Sequence, residues 1–236
     1  MRSRHATTRV GLLLVSELTG SSREMCGPYR RVFAEMFDGH AVEFTEIPLY
    51  AGATPGSLDD ADLWIINGSP DSVYDDLPWL TTAEEIVRDA AATERPLFGI
   101  CFGHQLVARA LGGRVERAAG GWQVGVIDYR TVAPVPAWPD APAELALLAV
   151  HQDQVVEVPA DTVVWSTADG CPNAGLVIGE RMWTVQGHPE FGTEICAALY
   201  EQRRDLIGSA RTDAALASLD RPLSNRHVAA AVIAGT

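Results

Sequence analysis

Apolar residues run without a break through residues 10–15, Val10-Gly11-Leu12-Leu13-Leu14-Val15. A run with no polar face predicts a strand covered on both sides, as in parallel sheets. A polar loop is expected next. Tyr29, Val32, Phe33, Met36 and Phe37 then recur at the spacing of a helix that buries one face. Residues 41–47 alternate like a second strand, and residues 62–67, with Leu63, Trp64, Ile65 and Ile66 inside, make a third. Thr82 and Glu85 have the spacing of a capping box, which predicts a helix from there to about Ala92. Residues 97–100 read as a short strand, and residues 104–111 as a helix that Gly112 and Gly113 can end. Strands alternating with helices imply parallel pairing through right-handed crossovers.

After Gly113 the pattern changes. Short strand candidates follow one another at 126–129, 147–150, 155–158, 162–166, 175–178 and 182–185, divided by turn residues. They predict a smaller antiparallel strand layer beside the parallel one. A helix is expected over 194–207, and a last apolar stretch covers 228–233. Pro134, Pro136, Pro139 and Pro142 mark a loop, not a linker between domains.

Composition narrows the function classes. With 236 residues the chain suits one α/β domain, expected as a core over about 10–207 and a C-terminal extension over 208–236. Its 18 basic and 31 acidic residues give a formal net charge of -13, which argues against binding a nucleic-acid backbone. The four cysteines, Cys26, Cys101, Cys171 and Cys196, lie far apart, so neither a disulfide scaffold nor a zinc site is expected. The apolar run after the basic Met1-Arg2-Ser3-Arg4 is too short for a signal-peptide core, and no stretch has the length of a membrane span. A cytoplasmic protein without a metal or cofactor is the expectation, with neither nucleic acid nor membrane as partner.

The candidate chemistry begins at Gly99-Ile100-Cys101-Phe102-Gly103-His104-Gln105. An apolar strand runs into a cysteine flanked by glycines, and a helix starts at once, which is the pattern of a nucleophile elbow. The helix N-terminus favours the attacking thiolate and aims the Phe102 N–H where an oxyanion would form. A buried structural cysteine is the alternative. Further on, Gln186-Gly187-His188-Pro189-Glu190 sets a histidine and a carboxylate just past a strand, supplying a base and the group that orients it. His151 is the other candidate base. His104 reads as structural, and His5, His40 and His227 as surface residues. Asn67-Gly68-Ser69-Pro70, ending the third strand, is a turn suited to a second oxyanion donor.

Together these segments resemble the class I (triad-type) glutamine amidotransferase family, and most of all the glutaminase domains of GMP synthases and their free-standing relatives. His151-Gln152-Asp153-Gln154-Val155 and the run 68–76 are similar to further family segments. The resemblance implies a flavodoxin-like three-layer sandwich with a mostly parallel central sheet. It also implies a triad of Cys101, His188 and Glu190, with oxyanion donors in the backbone of Ser69 and Phe102. Substrate contacts would come from Gly68, Gln105, Gln152 and Asp153. Two departures touch the pocket: Gln152 stands where GMP synthases usually carry glycine, and Gly187 where an aromatic residue is common. No phosphate-binding GxxxxGK[ST] loop is present, so nothing suggests that the chain itself uses ATP. The leading expectation is glutamine hydrolysis through a cysteine thioester, with ammonia passed to a separate synthase subunit. The alternatives are a free-standing γ-glutamyl peptidase and a non-catalytic regulatory family member.

Overall fold

In the computed structural model, which describes residues 7–236, the chain begins β1 (Thr8–Leu14), α1 (Gly20–Cys26), α2 (Tyr29–Met36), β2 (Val42–Pro48) and β3 (Leu63–Ile66). It continues with α3 (Leu80–Ala92), β4 (Leu97–Ile100), α4 (Phe102–Ala110), β5 (Arg114–Arg117), β6 (Gln123–Thr131) and β7 (Glu144–His151). Then come β8 (Asp153–Glu157), β9 (Thr162–Ala168), β10 (Cys171–Ile178), β11 (Met182–Val185), α5 (Thr193–Gln202), α6 (Arg204–Ile207), α7 (Ser209–Ala217) and α8 (Asn225–Ala234). His5 lies outside the described residues.

Nine strands form one sheet in the order β2-β1-β3-β4-β11-β10-β9-β6-β7. The pairings from β2 to β11 are parallel and those from β11 to β7 antiparallel. The small antiparallel layer is present, but only β5 and β8 make it. The other strands after Gly113 extend the central sheet, because alternation tells which face a residue takes, not which strand it pairs with. The sheet separates two cores. Leu12, Leu14, Ile65, Phe98, Ile100 and Val185 face one side, under α2, α5, α7 and α8. Leu13, Val15, Trp64, Ile66 and Leu97 face the other, under α3 and α4. Successive strand residues therefore feed opposite cores, which is why the central strands read as unbroken apolar runs. The architecture is an α/β sandwich of the expected class.

Four local expectations are corrected. The loop after β1 contains the helix α1, whose one buried residue is Ser22, so it carried no apolar period to read. The Thr82–Glu85 capping box does not form: α3 starts at Leu80, with Trp79 at its N-cap and no side-chain cap. Burial of Leu80, and the Trp79 ring 5.7 Å from that of Phe102, draw this turn into the helix. The helix expected at 104–111 begins at Phe102, directly after Cys101. The helix expected over 194–207 breaks at Arg203 into α5 and α6. Residues 208–236, read as an extension, are stitched to the far strands: the Val126 N–H donates to the Ser218 hydroxyl (2.9 Å) and the Ser224 N–H to the Ala146 carbonyl (2.9 Å).

Candidate active site

Three segments meet because β3, β4 and β11 are parallel neighbours. Ile66 pairs with Gly99 and Ile100 with Val185, so the chain leaves all three strands at the same edge. That edge, the carboxyl end of parallel strands, is where α/β sites assemble. It brings together Gly68 and Ser69 beyond β3, Cys101 beyond β4, and His188 and Glu190 beyond β11.

Cys101 sits on a strained turn. Its φ is 51° and its ψ -100°, a conformation that L-residues rarely adopt, and the next residue opens α4. The Cys101 N–H bonds the Val185 carbonyl (2.9 Å), and its own carbonyl accepts from Gln105 N–H (3.1 Å). Gly103 is required here: a Cβ would lie 2.5 Å from the Ile66 carbonyl oxygen. The Phe102 N–H is the first of the helix and has no intrahelical carbonyl to bond.

His188 is buried, and its Nδ1 lies 2.8 Å from Glu190 Oε1. Its backbone N–H bonds the Leu148 carbonyl (2.8 Å), and its ring stacks on Phe191 with centroids 4.4 Å apart. Nε2 is buried and bonded to no described residue. Burial alone pushes an imidazole down, and it holds His104 and His151 at about 3. At His188 burial acts the same way, but the charges of Glu190 and Cys101 outweigh it and raise the group to about 10. His151, the other candidate base, has no carboxylate; its Nδ1 faces the Asp153 carbonyl at 3.1 Å. His104 is wholly buried, with Nδ1 2.8 Å from the Thr184 hydroxyl, while His40 and His227 are exposed.

Gly68 is packed between His188 and Cys101. A Cβ there would lie 2.8 Å from His188 Cε1 and 3.5 Å from Cys101 Cβ. Its carbonyl accepts three hydrogen bonds, from Ser16 Oγ (2.8 Å), Asn67 Nδ2 (2.9 Å) and the Tyr29 hydroxyl (3.4 Å). In a trans peptide the N–H points opposite to the carbonyl, so the Ser69 N–H is turned away from this trio. Nothing in the local pattern links Ser16, Tyr29 and Asn67 to this carbonyl, since they come from three separate segments of the chain. Gly68→Ala should push the His188 ring aside and lower kcat about tenfold or more, by analogy with misplaced catalytic groups. Thermal unfolding should stay close to that of the unaltered protein; an unchanged kcat would contradict the packing argument.

Cys101 lies where two clefts meet. The larger, about 450 Å³, is also lined by Gln105, Arg117, Trp122, Gln152 and Asp153. The smaller, about 290 Å³, reaches Glu17, Tyr29, Gly68 and His188. Ser69 and Arg203 line both. The residues expected to touch substrate are thus gathered at the cleft, but several of their groups are already engaged. Gln105 Nε2 donates to the Asp153 carbonyl (2.9 Å) and to Gln186 Oε1 (3.1 Å), and the Gln152 carbonyl accepts from Ala118 N–H (2.8 Å). The Asp153 carboxylate accepts from the Tyr74 hydroxyl (2.8 Å) and from Ser72, which fastens the segment that follows β3. The place of an aromatic residue before His188 is filled from across the sheet: a Cβ on Gly187 would come within 3.0 Å of the Tyr129 ring. Among the described residues no cluster of His, Cys, Asp and Glu is placed to hold a metal ion, and no helix is long and apolar enough to cross a membrane.

The chain as a whole resembles known proteins. The family model described as glutamine amidotransferase class-I matches residues 39–197. γ-Glutamyl peptidase 3 of Arabidopsis thaliana is 29% identical over 177 residues, 72% of this chain and 71% of that protein. The glutamine-hydrolysing GMP synthase of Bacillus subtilis is 35% identical over 127 residues, 53% of this chain but 24% of that enzyme. A crystal structure of a glutamine amidotransferase from Thermotoga maritima matches with a TM-score of 0.76, over 98% of this chain and 96% of that one, at 19% identity, a likeness of fold.

Proposed function

Because the chain belongs to the class I glutamine amidotransferase family, we propose that it hydrolyses a γ-glutamyl amide through a cysteine thioester. His188 takes the thiol proton as Cys101 Sγ attacks the γ-carbonyl, and the carbonyl electrons move onto oxygen. The Ser69 and Phe102 N–H groups stabilise that oxyanion. As it collapses, His188 gives its proton to the departing amine, leaving a γ-glutamyl thioester on Cys101. Water then attacks the thioester with His188 as base, releasing glutamate and the thiol, while Glu190 orients the imidazole throughout. Gly68, Gln105 and the Gln152–Asp153 turn form the wall against the glutamyl group. No cofactor takes part in these steps.

One observation carries the choice of leaving group. The Gly68–Ser69 peptide is held by three hydrogen bonds within the chain itself. That supports a complete oxyanion hole without a docked subunit, and hence hydrolysis of a γ-glutamyl conjugate by the free protein. The second cleft beside Cys101 supports the same reading, since it offers room for an amine larger than ammonia. The likeness to GMP synthases favours a second reading, in which the substrate is glutamine and the ammonia passes to a separate synthase. We expect the purified protein to turn over a γ-glutamyl dipeptide with a kcat/KM about tenfold or more above that for glutamine, with or without cell extract. Activity confined to glutamine, and rising strongly with extract, would establish the second reading instead.

A further inference from the structure

We propose that Arg203, at the junction of the two clefts, binds a carboxylate on the amine side of the substrate, while Arg117 faces the carboxylate of the glutamyl end. The substrate class is then a γ-glutamyl amide whose amine itself bears a free carboxylate. This rests on the γ-glutamyl chemistry proposed above and adds what the departing amine must carry.

The chain has a net charge of -13, and every one of its 18 basic residues is an arginine. Most of the described arginines lie in ion pairs with Asp or Glu. Arg117 and Arg203 form none among the described residues, although acids line the same clefts. Those acids are engaged elsewhere: Asp71 accepts from the Ser69 hydroxyl (2.9 Å), Asp153 from Ser72 and Tyr74, and Glu17 from the Tyr50 hydroxyl (2.6 Å). Two arginines, Arg117 exposed and Arg203 half-buried, therefore line the cleft of a strongly acidic protein with no carboxylate partner among the described residues. A guanidinium presents a planar fork that matches a carboxylate, and the pair gains strength where water is partly excluded.

Both groups stand on built walls. Arg203 occupies the break between α5 and α6, where its N–H bonds the Leu199 carbonyl (3.1 Å) and its own carbonyl accepts from Leu206 and Ile207 (both 2.9 Å). Its half-buried guanidinium lies 5.9 Å over the Trp122 ring. Arg117 ends β5 opposite Asp153, next to a turn pinned by the Ala118 N–H to Gln152 carbonyl bond (2.8 Å) and by Arg211 on the Gly120 carbonyl (3.2 Å). Arg117 lines only the larger cleft, beside Gln105 and Gln152, whereas Arg203 lines both clefts that meet at Cys101. Glutamine brings one carboxylate. A γ-glutamyl amino acid brings two, one on each side of the bond that breaks.

The test is calorimetric binding to Cys101→Ser protein, which separates recognition from turnover. γ-Glutamylglycine should bind about tenfold or more tightly than γ-glutamyl methylamide, the gain of one charge-assisted hydrogen-bonded pair. Arg203→Gln in the same background should abolish that preference and leave methylamide binding unchanged. Arg203→Lys should keep part of it, since the charge remains and the fork is lost. Equal affinity for the two ligands, no binding of either, or a preference that survives Arg203→Gln would overturn the proposal. Should Arg203→Gln not fold, the comparison of the two ligands on Cys101→Ser protein still decides. Hydrolysis of the methylamide by the unaltered enzyme judges the γ-glutamyl chemistry separately: turnover without any preference for the glycine compound keeps that function and removes the role of Arg203.

Discussion

A glutamine-like diazo ketone should label Cys101 alone, and Cys101→Ala should lower turnover by about 10⁴-fold or more, the scale on which cooperating triads fail. The selectivity follows from environment. The thiolate is the reactive form, and burial disfavours it. Burial pushes the Cys171 thiol up to about 12 and the Cys196 thiol higher still; it also raises Cys26, which is only half-buried. Cys101 alone among the four opens a helix, lines both clefts and has a histidine–carboxylate pair beside it. Mass spectrometry after labelling reads the outcome directly. Adduct on any other cysteine, or full turnover by Cys101→Ala, would remove Cys101 as the nucleophile.

The second large effect belongs to His188. His188→Ala should approach the loss seen without Cys101, whereas Glu190→Gln should cost roughly 10²-fold less than that, because orienting the base is a smaller contribution than moving the proton. The two variants also differ in pH behaviour. His188 titrates at about 10, above its ordinary 6.5, because Glu190 and Cys101 outweigh burial. The group with the raised value stabilises the folded state fully below about pH 6.5, and this contribution is lost as the pH rises through about 10. Glu190→Gln removes the largest of the raising charges. Its alkaline limb of kcat/KM should therefore move to lower pH, and its thermal stability should decline earlier between pH 7 and 10. An alkaline limb that stays in place in Glu190→Gln would show that Glu190 does not govern the imidazole.

How much of the site was legible depended on the range of the forces involved. The elbow could be read because its causes are local: Cys101 takes a positive φ between glycines, and Gly103 must sit against the β3 backbone. The pairing of a histidine with a carboxylate two residues on could be read for the same reason. The choice between His188 and His151 could not be settled that way, since both are buried beside Cys101 and only contact with Glu190 separates them. Trp122, Arg117 and Arg203 carry no such local signature. They come from a turn, a strand end and a helix break, and nothing in their local spacing suggests a common cleft.

By itself the sequence determined the kinds of chemistry and the faces of the elements. The candidate nucleophile, the two candidate bases, the buried runs and the alternating strands all follow from residue type and from the periods of two and 3.6. Only the tertiary structure decided that β11 lies between β4 and β10, so that His188 comes beside Cys101. It also decided that the strands after Gly113 extend the central sheet, and that Tyr29, Ser16 and Asn67 turn one peptide so that the Ser69 N–H points away from them. The physical reason is the same in each case. Periodicity is set by neighbours a few residues away, whereas strand order and the aim of a single peptide are set by packing between segments far apart in the chain, which no local pattern encodes.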